Sequence, residues 1–270
     1  MGDSTDWTPQ QVNERVPSVA RMYDYFLGGA HNFAVDRELA RQVLEVMPDA
    51  GYIARANRDF VVRAVRTLAT EGYDQFVDIG AGLPGAGSVH SIVHQINPAA
   101  TVVYVDNDPI VLAHGHEVTR NLERVAMVEG DARDIAGMFL DPVIRGLIQP
   151  GRPVVVVLAA VLHFMADDEQ PAQTVAEIRQ EMCPGSVLVF SHGTGRPDDA
   201  PLAAVRDLYD HTDHHAVPRS PDGIQALLAG FDMRPPGLTW VPRWYPDLGI
   251  RSVVDDGSRT RMLGVVADVA

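Results

Sequence analysis

From Asp74 onward the chain alternates short runs rich in β-branched residues with longer stretches whose apolar positions recur every three to four residues. The runs 75–80, 101–106, 124–129, 153–159 and 186–192 are mainly apolar and β-branched, with no strict alternation, the pattern of strands covered on both faces of a parallel sheet. Between them, 86–97, 109–121, 133–148 and 169–183 carry the helical period. Pro109 suits a first helical turn, Pro142 breaks the third stretch, and Pro184-Gly185 ends the fourth. Strand and helix alternating in this way predict a doubly wound, Rossmann-like α/β fold.

After the fifth strand the rhythm changes. Residues 199–210 and 221–229 read as helices on either side of a histidine-rich loop, and 231–241 with 259–269 read as an antiparallel hairpin. The expected sheet is thus seven-stranded and mostly parallel, with an antiparallel carboxy-terminal hairpin. Residues 17–72 supply helical segments bearing Tyr23, Tyr25, Phe26 and Phe33. The organisation expected is a helical lid segment, 1–72, over the carboxyl edge of one compact Rossmann domain, 73–270.

The stretch Phe76-Val77-Asp78-Ile79-Gly80-Ala81-Gly82-Leu83-Pro84-Gly85 is a strand running into a glycine loop, and Val102 to Asp106 is the next strand. Gly80, Gly82 and Gly85 fit a G-x-G-x-x-G loop, in which the backbone turns sharply and approaches a ligand with no Cβ in the way. Asp106, ending the second strand, is placed to accept hydrogen bonds from a ribose diol. Gly130-Asp131-Ala132-Arg133 follows the third strand, where a carboxylate and a backbone N–H suit an adenine edge. The small Ala159 at the end of the fourth strand lets a ligand lie close to the backbone. Asp78 at the glycine loop repels a pyrophosphate and favours an ammonium group. Adenosine joined to a sulfonium and an amino-acid tail, as in S-adenosylmethionine, meets these demands together.

Composition narrows the chemistry further. All 22 cationic side chains are arginines, which removes lysine Schiff bases and the phosphate-binding lysines of P-loop and kinase sites. A net charge of -14 argues against a nucleic-acid partner, and Arg55, Arg58, Arg63 and Arg66 read as a solvated helical face. The lone Cys183 leaves no disulfide or cysteine zinc site within the chain. The amino terminus lacks a basic-then-apolar leader, and the longest apolar run, Pro153 to Met165, is interrupted by His163 and too short for a bilayer. A cytoplasmic protein without a membrane partner is expected; the sequence does not define an oligomeric state.

Pro17-Ser-Val-Ala-Arg-Met-Tyr-Asp-Tyr-Phe-Leu-Gly-Gly29, Asn32-Phe33, Asp36-Arg37, the loop 76–84, Val103 to Pro109, Val161-Leu-His-Phe164 and Pro184 to His192 together carry a family resemblance. Over nearly its whole length the chain resembles the actinobacterial S-adenosylmethionine methyltransferase family once catalogued as a domain of unknown function. It differs where the family more often has Lys-Asp, threonine and asparagine: Ala30-His31, Gly85 and Ser88 stand there. The resemblance implies a class I methyltransferase fold and S-adenosyl-L-methionine as cofactor. It implies that Asn107, beside Asp106, belongs to the cofactor site, and that Arg21, Tyr25 and Asn32 contact the cofactor carboxylate or cover its sulfonium.

His163 and His192 follow the fourth and fifth strands at the reacting edge, each a candidate general base or a packing histidine. His211, His214 and His215 lack a well-spaced further ligand, so no metal is assigned. Trp240 and Trp244 either line an acceptor pocket or cap the core. No Asn/Asp-Pro-Pro-Tyr signature for exocyclic base amines is present. The expected activity is methyl transfer to a small molecule. A non-catalytic cofactor sensor or partner-binding protein is the alternative, and an NAD(P)-dependent oxidoreductase a further one.

Overall fold

The computed structural model describes residues 13–85, 87–196, 198–212, 214–244 and 257–269. Among them the central sheet has eight strands: β1 (Gln75–Ile79), β2 (Thr101–Asp106), β3 (Val125–Glu129), β4 (Val155–Ala159), β5 (Val187–Gly193), β6 (Phe231–Met233), β7 (Thr239–Trp240) and β8 (Met262–Val269). Their order is β3-β2-β1-β4-β5-β8-β6, with β7 paired separately to β8. Strands β1 to β5 run parallel, and β8 enters antiparallel between β5 and β6. The strand expected over 231–241 is two short ones because Pro235 and Pro236 have no N–H for a ladder. Both pieces pair with β8, so the expected closing pair of arms is present around a divided edge.

Alternating side chains divide the core in two. Val77 and Ile79 of β1 and Val156 and Leu158 of β4 pack under α6 (Ile135–Leu140), α7 (Pro142–Leu147), α8 (Pro171–Glu181) and α10 (Pro221–Leu227). Phe76, Val155 and Val157 face α3 (Ala50–Thr70), α4 (Val89–Ile96) and α5 (Pro109–Thr119). The break between α6 and α7 falls at Asp141-Pro142, where the Asp141 side chain caps the second helix.

Helix α3, placed by the sequence reading in the amino-terminal segment, lies directly on the sheet through Phe60, Val61, Ala64, Val65 and Leu68. Of the four arginines read as a solvated face, Arg55 and Arg66 are exposed and Arg58 is half-buried, but Arg63 is a correction. Arg63 is buried, donating from Nε to Trp244 O at 3.0 Å and from Nη2 to Val241 O at 2.6 Å. Trp244 caps the core beside it, edge-on to Phe60 at 5.5 Å. What stands over the carboxyl edge is α1 (Val19–Phe26), α2 (Ala34–Val46) and α9 (Ala200–Tyr209), joined through Met22, Phe26, Leu39, Val43 and Tyr209. No helix among the described residues is long and apolar enough to cross a membrane.

Candidate functional site

Strand order reverses between β1 and β4: the chain winds outward through β2 and β3 on one side and through β5 on the other. Helical connections leave that point in opposite directions, which opens a crevice at the carboxyl ends of the two strands. A cleft of about 1070 Å³, partly open to solvent, lies there. Asp78, Gly80, Gly82, Asp106, Asn107, Asp131, Ala132 and Ala159 line it, together with Ser18, Tyr23, Asn57, Arg58, Asp108 and Arg133.

The glycine loop is fixed from β2. Val105 O accepts from Gly80 N at 2.8 Å and from Ala81 N at 3.1 Å, and Asp106 Oδ2 accepts from Gly82 N at 2.8 Å. Both turning glycines are left-handed, with φ of +66° at Gly80 and +62° at Gly82, but their surroundings differ. A Cβ on Gly80 would meet Val161 Cγ2 at 2.4 Å, whereas one on Gly82 would meet nothing within 4 Å. Gly80 is needed for packing, and Gly82 leaves open space over the cleft. Gly85 lies outside the cleft, exposed in the turn before α4, its carbonyl accepting from Ser88 N.

Two buried carboxylates meet at the floor of the cleft. Asp106 also accepts from Asp108 N at 2.9 Å, and burial raises its pKa to about 6 against these hydrogen bonds. Burial raises Asp78 further, to about 7, opposed by the Arg58 guanidinium and reinforced by Asp106. Asp78 is 6% exposed and accepts no hydrogen bond from the described residues. Arg58, on α3, forms no ion pair with them. On the rim, Asp131 is held low in pKa by hydrogen bonds from the Arg133 backbone and side chain and from Asn107, despite its partial burial. Arg133 reaches on to Glu169 at 2.6 Å.

The three expected contacts from the amino-terminal segment lie elsewhere. Arg21 is buried in an ion-pair network, with Nε 2.8 Å from Asp36 and Nη1 3.4 Å from Asp108, and does not line the cleft. Ser18 Oγ donates to the same Asp108 carboxylate, which caps α5, so the network ties α1 to the end of β2. Asn32 spends its amide on Asp24 Oδ2 at 2.8 Å and Gly29 O at 3.1 Å, shaping a turn. Tyr25 lies edge-on to Phe26 at 6.2 Å. Tyr23 is the tyrosine that reaches the cleft, its hydroxyl donating to Ala54 O at 3.0 Å and accepting from Asn57 Nδ2 at 3.1 Å.

Neither histidine proposed as a base lines this cleft. His192 is fully buried, its Nδ1 donating to Gly193 O at 2.7 Å and its Nε2 facing Arg219 Nη1 at 3.0 Å. Burial pushes its pKa down to about 4. It holds Arg219, which in turn bonds Leu162 O, Met165 O and Asp167. His163 Nδ1 accepts from Gly193 N at 3.2 Å, and burial keeps the ring neutral with its pKa well below the usual value. Its proton therefore resides on Nε2, which makes that nitrogen a donor rather than a base.

His163 instead lines a second, mainly apolar chamber beneath α1, α2 and α9, of about 890 Å³ and, like the cleft, partly open to solvent. Tyr23, Asn57, Ala160 and Phe164 belong to both compartments and form their common wall. Ala160 adopts a left-handed φ of +59°, unusual for a residue with a Cβ, and Ser191 holds it there through its carbonyl and hydroxyl, each 3.0 Å from Ala160 N. Trp240 and Trp244 line neither compartment. Sequence reasoning placed Arg58 on a solvated face and passed over Asn57; that both line the cleft is visible only once α3 is docked.

The model of the S-adenosyl methyltransferase family matches residues 5–270. A crystal structure from Thermobifida fusca, classed provisionally as a methyltransferase, is 30% identical with a TM-score of 0.89, over 98% of this chain and 99% of that one. A protein from Streptomyces avermitilis assigned to family DUF574 is 31% identical at the same TM-score, over 95% and 99%. The CurJ carbon methyltransferase shares the fold at 18% identity and a TM-score of 0.52, over 82% of this chain and 56% of that one. No curated protein matches the chain. With the model matched over residues 5–270 and two solved relatives superimposing over 95% or more of both chains, this chain belongs to the S-adenosyl methyltransferase family, whose methyl donor is S-adenosylmethionine.

Proposed function

We propose that the chain transfers a methyl group from S-adenosylmethionine to a small-molecule acceptor, with the cofactor seated in the cleft between β1 and β4. The observation that carries this reading is Asp78: a buried carboxylate without a hydrogen-bond partner among the described residues, in the same cleft as Arg58, which forms no ion pair with them. An acid and a guanidinium so placed suit the ammonium and carboxylate of an amino-acid tail, while the acid disfavours a diphosphate. Asp106 takes the ribose diol with the lone pairs left after Gly82 and Asp108, Asn107 lies beside it, and Asp131 with Ala132 takes the adenine edge. The open direction at Gly82 gives the ligand room against the backbone.

The bound sulfonium supplies an activated methyl group, and the protein's task is to align an acceptor with it and exclude water. Orientation of this kind is worth roughly 7–11 kcal/mol. Titration calorimetry with S-adenosylmethionine, S-adenosylhomocysteine and NAD tests the reading: the first two bind, and tight binding of NAD alone overturns it. One observation favours a second reading, a non-catalytic cofactor sensor, because neither His163 nor His192 offers the cleft a basic nitrogen. Transfer of labelled methyl from the cofactor into a metabolite extract separates the two.

A further inference from the structure

The chamber behind the cofactor cleft is built for a different kind of molecule. Phe26, Val43, Met47, Ile53, Leu202 and Val205 form much of its wall, and Phe164 stacks on Tyr209 with centroids 5.5 Å apart. Among the described residues no carboxylate lines it, and the cation that does, Arg261, is paired with Asp199. Of the polar side chains in this lining, Tyr209 and His163 keep hydrogen-bonding capacity that the described residues do not use. The Tyr209 hydroxyl makes no hydrogen bond with the described residues, although the residue is only 9% exposed. On His163, Nδ1 is taken by Gly193, and Nε2 has no partner among them. Neither atom is sealed from the chamber, so both are open to a ligand, and one that bonds them gains specificity as well as affinity.

Resting on the methyltransferase reading above, we propose that this chamber holds the methyl acceptor. The acceptor is an uncharged, ring-bearing molecule whose oxygen atoms receive hydrogen bonds from His163 Nε2 and the Tyr209 hydroxyl. Flat aromatic walls select rings. Burial keeps Tyr209 protonated, its pKa raised by desolvation, and keeps the His163 ring neutral, so both groups donate. Among the described residues an ammonium would meet no carboxylate in the lining, and a carboxylate would be desolvated beside a guanidinium, Arg261, that is already paired. The shared wall of Tyr23, Asn57, Ala160 and Phe164 places such a molecule next to the cofactor cleft.

The test uses four probes of one shape: 1-naphthol, 1-methylnaphthalene, 1-naphthylmethylammonium and 1-naphthoate. Each is titrated into the full-length protein with S-adenosylhomocysteine saturating, so that the cleft is not available to the probe. 1-Naphthol should bind at least about tenfold more tightly than either charged probe. Tyr209→Phe should weaken 1-naphthol about 3- to 10-fold, and His163→Phe likewise, with 1-methylnaphthalene unaffected. Ala216→Trp, at a chamber residue that does not line the cleft, should block every probe and leave S-adenosylhomocysteine affinity unchanged. Ammonium binding as tight as that of 1-naphthol, or 1-naphthol binding that survives Ala216→Trp, overturns the proposal. If S-adenosylhomocysteine does not bind the wild-type protein, the cofactor reading fails separately, and the same probe criteria decide the chamber in the protein alone.

Discussion

Replacing Asp78 by asparagine should stabilise the protein above neutral pH while weakening its hold on the cofactor. The carboxyl ionises at 3.8 in the unfolded chain and at about 7 in the folded one, chiefly because burial penalises the charge. Below pH 3.8 both states keep the proton, and the substitution is close to neutral. Between 3.8 and about 7 the unfolded state releases the proton while the folded state retains it, so wild-type stability falls as pH rises through this window. Above about 7 both states are ionised and the loss levels off. At roughly 1.4 kcal/mol for each tenfold change in the equilibrium, the interval corresponds to about 4 kcal/mol. Asparagine does not titrate and keeps the shape, so the variant escapes the loss. Urea denaturation of both proteins from pH 4 to 9 should give stabilities that coincide near pH 4 and diverge to about 4 kcal/mol by pH 8. Asp106, with a pKa of about 6, is common to both proteins and largely cancels in the difference. Calorimetry on the same variant should show S-adenosylmethionine affinity reduced by at least about tenfold, the loss of one charge-assisted hydrogen bond. A variant no more stable than wild type at pH 8, or a difference that does not change with pH, refutes the reasoning.

Asp106→Ala should raise the cofactor Kd at least about tenfold by removing the ribose acceptor and freeing Gly82 N, with circular dichroism unchanged; an unaltered Kd would remove Asp106 from the site. Gly80→Ala and Gly82→Ala should part ways: the first destabilises the fold by about 1–3 kcal/mol through its contact with Val161 and its positive φ, and the second loses cofactor binding with a smaller cost to stability. Denaturation and calorimetry on the pair read both effects. Arg21→Met strands Asp36 and Asp108 without their cation and should cost about 3–5 kcal/mol in denaturation experiments. His192→Ala should cost about 2–3 kcal/mol, because Arg219 loses a partner, while the cofactor Kd stays within about twofold. Undiminished stability there would contradict a structural role for the ring.

The parallel half of the sheet was legible because strands covered on both faces leave continuous apolar runs, and the glycine loop because only glycine sits comfortably at φ near +60°. The break at Pro142 and the place of Pro109 in a first helical turn are equally local. What sequence could not show depends on partners far along the chain. Arg63 reads as a surface residue until the carbonyls of Val241 and Trp244, nearly 180 positions away, are brought to it. Arg21 reads as a cofactor contact until Asp36 and Asp108 claim it. His163 reads as a base until Gly193 N occupies its Nδ1 and settles the tautomer. The chamber is the extreme case, since α1, α2, α3 and α9 each contribute side chains whose only common property in the sequence is a helical period.

Helix α3 also decides where this chain can be recombined with its relatives. It contributes Asn57 to the wall between the two compartments and packs Phe60 to Leu68 under the sheet, so one helix is both scaffold and binding surface. A chimera joined after residue 72 would strip the cover from one sheet face and import a helix shaped for another protein's strands. A junction at 47–49, in the turn between α2 and α3, would exchange α1 and α2 alone. Such an exchange leaves Arg63, Asn57 and Arg58 in place and demands only that the incoming segment bring its own counterparts of Ser18, Arg21 and Asp36 to meet Asp108.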